Sequence, residues 1–333
     1  MQQEGAEVTQ ADDSSRTGRN RNLWIVVAIG LILACACVVV AAVLVGGSLM
    51  IRRGEVGVPG FQHEATVERT VDVGPGATLQ VDNFAGTIEA QAVDGNQIRV
   101  VAIKHSPGAA DLERIEVQIE QQGDAVLIRT RRPASLRTAS VSLQIQAPPG
   151  TALDLGTGAG SIEVEGFVAA VTANTSSGSI NASGLVGDVA LNTGSGGVTA
   201  ESVAGTLRID SGSGSLRVQG LSGSLEAHTG SGSIEVLGAE GNVRLDTSSG
   251  TVEYEGTPAG ECRFETGSGS IVLRLPAELD FRLQADAGTG GVNVEFEVEG
   301  RVTARHVEGV VGTGLEATII ADTSSGSIDV FEY

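Results

Sequence analysis

Between residues 160 and 270 apolar and polar positions alternate in short runs that return every 18 residues. One apolar column reads Ile162, Ile180, Val198, Leu216, Ile234, Val252 and Ile271, and a second, two residues on, reads Val164, Ala182, Ala200, Val218, Val236, Tyr254 and Leu273. Glu163, Asn181, Thr199, Arg217, Glu235 and Glu253 stand between them. Apolar, polar, apolar is the period of a strand with one buried face. A second strand per repeat follows the same rule, with Val171, Val189, Leu207, Leu225 and Val243, then Ala173, Leu191, Ile209, Ala227 and Leu245, predicted inward. Its outward column is Thr172, Ala190, Arg208, Glu226, Arg244 and Arg263.

The corners repeat as well. TGAGSI, TSSGSI, TGSGGV, SGSGSL, TGSGSI, TSSGTV and TGSGSI place a glycine at 160, 178, 196, 214, 232, 250 and 269, with further copies at Gly290 and Gly326. Two more glycine sets, Gly166, Gly184, Gly220, Gly238, Gly256 and Gly187, Gly205, Gly223, Gly241, mark where the backbone takes positive φ or passes close to a neighbour. Phe167, Leu185, Val203, Leu221 and Ala239 fall between these corners and are predicted to point inward along a short third face. A fixed period of this size means coils that bury one another's apolar faces. The prediction is an all-β fold, a parallel β-helix with 18-residue coils rising by ~4.8 Å each, so that the regular array is roughly 30 to 35 Å long. A propeller blade needs a repeat of roughly 40 residues.

Outside the array, residues 1–22 read as a polar cytoplasmic tail and 52–69 as a juxtamembrane linker. Residues 70–150 read as irregular first coils and an N-terminal cap, because a solenoid end exposes strand edges that must be covered. Residues 151–333 are the regular coils with an irregular C-terminal portion, and the last coil is expected to leave an edge compatible with a homo-oligomer. Residues 23–51 hold 29 positions without a charge. About 20 apolar residues span a bilayer, so the segment predicts a single transmembrane helix. Arg16, Arg19 and Arg21 before it, against Arg52 and Arg53 after it, favour a cytoplasmic N-terminus and an extracytoplasmic C-terminal domain at the cell membrane. Ile32-Leu33-Ala34-Cys35 loosely matches a lipoprotein cleavage box, with Cys35 as the lipidated residue, but the following 16 positions stay apolar. Cys35, Cys37 and Cys262 read as packing residues.

The net charge of −20 leaves no basic stripe for phosphates and argues against nucleic acid as a partner. The partners it allows are the membrane itself, envelope polymers or a neighbouring membrane protein.

The strings DNFAGTIEAQA, the run of T-x-S-G-S-I coils, IVLRLPAELDFRLQADAGTGGV and the terminal TSSGSIDV resemble a bacterial family of putative adhesins with β-strand repeats, the head-GIN or auto-transporter-adhesin-like domains, over about residues 70–333. The resemblance implies a right-handed β-helix, often on a membrane tether at the cell envelope. It carries over no catalytic residue and no cofactor.

Candidate chemistry is sparse. The Ser/Thr/Gly corners have no following lysine or helix and so do not form a phosphate loop; their hydroxyls are expected to bond neighbouring backbone. Of four histidines only His228 falls in the regular array, in the outward column Asn174, Asn192, Asp210, His228, Asp246, Glu265. Adjacent coils would place Asp210, His228 and Asp246 about 5 Å apart from rung to rung, with Glu265 next in line, the one candidate metal or acid/base column. Arg208, Glu226 and Arg244 should form an alternating-charge ladder that opposes slipped register. The expected function is a non-enzymatic wall for adhesion, scaffolding or ligand sensing. The alternatives are a polysaccharide lyase or hydrolase, for which the corners are too short and aromatics too few, and an ice-binding face on the threonine column Thr175, Thr193, Thr229, Thr247, Thr266.

Overall fold

The computed structural model describes residues 63–333. The tail, the apolar segment 23–51 and most of the linker lie outside the described residues. Among the described residues no helix is long and apolar enough to cross a membrane.

The N-terminal part contains β1 (His63–Asp72), β2 (Thr78–Asn83), β3 (Ile88–Ala92), β4 (Gln97–Ser106), the one-turn helix α1 (Ala109–Leu112), β5 (Glu116–Gln122), β6 (Ala125–Arg131) and β7 (Ser140–Ala147). The regular coils follow as β8 (Ala152–Thr157), β9 (Ile162–Glu165), β10 (Val171–Ser177), β11 (Ile180–Ser183), β12 (Val186–Ser195), β13 (Val198–Ser211), β14 (Leu216–Thr229), β15 (Ile234–Gly241), β16 (Val243–Ser249), β17 (Val252–Pro258), β18 (Gly260–Ser268) and β19 (Ile271–Leu275). The C-terminal part is β20 (Phe281–Ala287), β21 (Val292–Val294), β22 (Glu299–Val302), β23 (His306–Val311), β24 (Ala317–Ser325) and β25 (Ile328–Glu332).

The fold is an all-β solenoid. Ile180 pairs in parallel with both Ile162 and Val198, and Val198 in turn with Leu216, one coil apart each time. On the second face Val171 pairs with Leu153 and Val189. Both inward columns are buried along their length, and the third face (Phe167, Leu185, Val203, Leu221, Ala239) closes the core between them. Burying each Val, Leu or Ile contributes about 1.5–3 kcal/mol relative to exposure, which is how coils too small to have cores of their own become stable together.

Close stacking dictates the glycine columns. A Cβ on Gly196, at φ 155°, would lie 2.1 Å from the carbonyl oxygen of Gly178 in the coil below. Ser202 interrupts the other set: it takes the left-handed position, φ 55°, that Gly184 and Gly220 hold in the adjacent coils. Gly256 does not continue that set. A register shift after Leu237 pairs it with Ala239, inside the third face, and Tyr254 fills the space that two small residues leave. The Tyr254 hydroxyl donates to Ala239 O at 3.0 Å, and its ring lies 5.1 Å from that of Phe264.

Chain order and stacking order part company at both ends. The β2–β3 coil lies between β6–β7 and β8–β9, while β1, β4 and β5 add antiparallel strands beyond them. Strand β1 begins at His63, so the stretch assigned to a linker is already strand from there on. At the C-terminal end β24 pairs with β18 on one side and β20 on the other, and β25 with β19 and β21. The last coil of the chain is therefore not an edge, contrary to the sequence expectation. It is clasped between two earlier coils, and the antiparallel strands β23 and β22 close the stack beyond β20.

Candidate functional site

The outward column of the second face forms as the 18-residue register requires. Asn174, Asn192, Asp210, His228, Asp246 and Glu265 occupy successive rungs. The displaced coils extend it in both directions: Glu265 is followed by Asp322 and then Asp286, and Asn174 is preceded by Gly156 and Asp82. Beside the column the chain turns through Gly158, Ser176, Gly194, Gly212 and Gly230. A Cβ on Gly212 would sit 2.5 Å from Gly194 O, and the corner carries only glycine or, as at Ser176, serine. What remains is an open groove of about 720 Å³ along Asp82–His228, and a second stretch of about 710 Å³ along Asp246–Asp286.

The two stretches differ in charge. In the first, Asn192 Nδ2 donates to Asn174 Oδ1 at 2.9 Å, an amide ladder across one rung. Arg208 Nε lies 2.9 Å from Asp210 Oδ2, and the same guanidinium pairs with Glu226. The carboxylates of Asp210 and then Glu226 hold the Arg208 pKa above its ordinary value. His228 Nδ1 lies 3.4 Å from Asp246 Oδ2 at the junction. In the second stretch four carboxylates stack in succession. Arg263 donates to Glu265 at 2.6 Å and lies 3.8 Å from Asp322. That hydrogen bond holds the Glu265 carboxyl below its usual range, whereas burial, and then neighbouring Asp286, pushes Asp322 up. Arg244 turns toward Glu265 at 3.9 Å, so the alternating ladder reduces to the Arg208–Glu226 pair with Arg244 drawn into the next rung. Exposed pairs of this kind are worth at most about 1 kcal/mol; their use is to hold register.

The geometry does not favour a metal at His228. Side chains on successive rungs project in parallel, ~4.8 Å apart, whereas zinc ligands must converge to about 2.0–2.2 Å of one point. Among the described residues no three acidic, histidine or cysteine side chains are grouped to hold an ion. Cys262 is buried in the core, and burial pushes its thiol pKa up.

The threonine column faces inward. Thr175, Thr193, Thr229, Thr247 and Thr266 are buried, and each hydroxyl donates to the carbonyl of a corner glycine in the coil below, at 2.9 to 3.0 Å. An ice-binding face needs those hydroxyls outward, so this buried column does not form one. Asn83 stands in the same column at the N-terminal swap, where it donates to Val141 O at 2.9 Å and accepts from Thr130 at 2.7 Å.

Asp82, Asp322 and Asp286 were not singled out from sequence. Asp322 carried a signal, since it precedes Thr323-Ser324-Ser325-Gly326 as Asp246 precedes Thr247-Ser248-Ser249-Gly250. Asp286 is masked because Ala287 replaces the threonine.

Residues 77–331 match the family described as Toastrack DUF4097. Among curated proteins none matches the chain. Solved structures similar to it include a putative adhesin from Bacteroides fragilis NCTC 9343, at 13% identity over 80% of this chain and 97% of that one, TM-score 0.36. A putative adhesin from Parabacteroides distasonis ATCC 8503 is 10% identical over 81% and 97%, TM-score 0.31. A putative cell adhesion protein from Clostridium sporogenes ATCC 15579 is 13% identical over 81% and 100%, TM-score 0.22. With the family match running from the first buried coil to the last, the chain belongs to the Toastrack family.

Proposed function

We infer that this chain is a membrane-anchored, non-enzymatic, adhesin-like protein of the cell envelope. Residues 23–51 cross the membrane once, the short tail stays in the cytoplasm, and the solenoid stands outside as a rigid polar wall. The observation that carries this reading is the outward column from Asp82 to Asp286, polar at nearly every rung and bordered by a corner of glycine and serine only. Such a column repeats donors and acceptors at rung spacing and suits extended envelope polymers better than a compact small molecule. The carboxylates of the column stack along one wall and are partly paired with arginine; they do not oppose each other across a cleft, as a glycoside hydrolase requires. The integral anchor makes a neighbouring membrane protein an accessible second partner.

The test uses the full chain in proteoliposomes, incubated with fractionated envelope polymers and intact cells. Saturable binding that falls in the Asn174→Ala/Asn192→Ala variant, with residues 63–333 open to external protease on cells, is the expected result. Binding to no fraction, or a solenoid protected on the cytoplasmic side, overturns it.

A further inference from the structure

We propose that the C-terminal coil, β24–β25, exchanges between two copies of this chain, so that each copy's last coil fills the slot in the other. The inference goes beyond the reading of the outer wall and does not depend on which polymer that wall meets.

The slot arises from the stacking order. β19 ends at Leu275 and β20 begins at Phe281, so the coil that follows in sequence is β20–β21. Yet the coil seated on β18–β19 is the last one: Cys262 pairs with Ile319, which pairs in turn with Leu283, and Ile271 pairs with Ile328, which pairs with Val292. Both walls of the slot are thus built by residues synthesised before its occupant. Every ladder bond and core contact the last coil makes is the same whether it comes from its own chain or from a second copy. Exchange of an identical element is for that reason a low-cost route to a dimer, governed by the hinge.

The hinge has the features exchange needs. Gly312 and Gly314 take φ of 62° and 65°, and the segment Gly312–Glu316 is held chiefly through Asp280. Thr313 Oγ1 donates to Asp280 Oδ2 at 2.5 Å, Glu316 N donates to Asp280 O at 3.1 Å, and Asp280 N donates to Glu316 Oε2 at 3.1 Å. Leu315, in the middle of it, is 85% exposed, an apolar side chain with no cover in the single chain. Val302 and Tyr333, also exposed, belong to the same end of the molecule. In an exchanged pair the two hinges run side by side, which gives Leu315 a partner: Leu315 of the second copy.

Ser270 and Ser327 supply the reporter. Ser327 Oγ donates to Ser270 Oγ at 3.2 Å, one residue from the receiving coil and one from the inserted coil. Full-length chains with Cys35 and Cys37 replaced by alanine and Cys262 left in the core are made as two single variants, Ser270→Cys and Ser327→Cys. They are mixed in detergent micelles and then oxidised with oxidised glutathione. Exchange predicts a covalent heterodimer of the two variants on a non-reducing gel, lost when each is oxidised before mixing. The Ser270→Cys/Ser327→Cys double variant, closing within one chain at high dilution, verifies the geometry. Should it fail to close, the registered pair Ser268 and Ser325 replaces it. Internal closure of the double variant with no heterodimer from the mixed singles overturns the proposal. So does a dimer linked only between like residues, which reports contact through outer faces. Adhesion that persists without any heterodimer sinks the exchange and leaves the reading of the wall intact.

Discussion

Thr229 donates its side-chain hydroxyl to the carbonyl oxygen of Gly214, fifteen residues earlier, at 3.0 Å. The same bond recurs from Thr175 to Gly160 and on to Thr323 and Gly269, so one buried hydroxyl per coil ties a strand to the corner beneath it. Thr229→Val keeps the shape and removes the donor, leaving a buried carbonyl without this partner. The expected loss is about 1–3 kcal/mol in urea unfolding, with Thr229→Ser close to the parent. A valine variant as stable as the parent would show that the column packs without needing its hydroxyls.

Ser202 departs from the glycine corners on either side of it. A non-glycine residue in the left-handed region costs about 1–2 kcal/mol, and glycine gives back part of the gain through the entropy of the unfolded chain. Ser202→Gly should therefore raise stability by about 0.5–1 kcal/mol. A lower melting temperature in the glycine variant would mean that the serine makes a compensating contact.

What the sequence made legible follows from the same repetition. Ile162 and Ile180, or Asn192 and Asp210, share a column because an 18-residue coil returns each side chain to the same place, and the structure keeps that register. The interchange of the last two coils decides the order in which Asp322 and Asp286 follow Glu265 along the column. No periodicity encodes that interchange, because two coils with the same pattern, such as those carrying Ile319 and Leu283, satisfy the neighbouring wall equally well locally. Gly256 misled for a related reason: β17 has one residue fewer than β15 opposite Leu237–Ala239, which moves a glycine from corner to core, where the buried Tyr254 fills the space.

Tyr254 and Cys262 set the alkaline limit. Burial pushes both pKa values above their unfolded levels of about 8.5 for the thiol and about 10 for the phenol. Groups held neutral in the folded state contribute stability that is fully present below the unfolded pKa and is lost as pH rises toward the folded one. Unfolding free energy should thus be flat from about pH 7 to 8, decline from about pH 8.5 as Cys262 ionises in the unfolded chain, and steepen near pH 10. Cys262→Ala should remove the first decline and keep the second. A variant with the parent's profile between pH 8 and 9.5 would rule out the thiol.

Asp322 follows the same sign in a lower pH window, so that its contribution is already lost at neutral pH. Burial and the adjacent Asp286 make its charged form unfavourable, and Arg263 at 3.8 Å offsets this only in part. Asp322→Asn should stabilise the fold at pH 7 by well under 1 kcal/mol, given the solvent screening of a half-exposed group. The gain should vanish as pH falls through the raised folded pKa and the native carboxyl protonates. An equal gain at pH 7 and pH 3 would point to packing instead of charge.

The final coil is a structural requirement as well as the last stretch of chain. Ending the protein after Glu316 removes β24–β25 and leaves β18–β19 and β20–β21 facing an empty slot. Phe264, Cys262, Phe281 and Leu283 would lose the neighbours that bury them, at about 1.5–3 kcal/mol for each large side chain exposed. Because coils interact chiefly with their neighbours, the damage should remain at this end. Hydrogen exchange of the truncated chain is expected to show β20–β23 unprotected and β8–β14 protected as in the parent. Retained protection in β20–β23 would mean that this coil can close directly onto β18–β19, and that the slot is an option of the fold instead of a necessity.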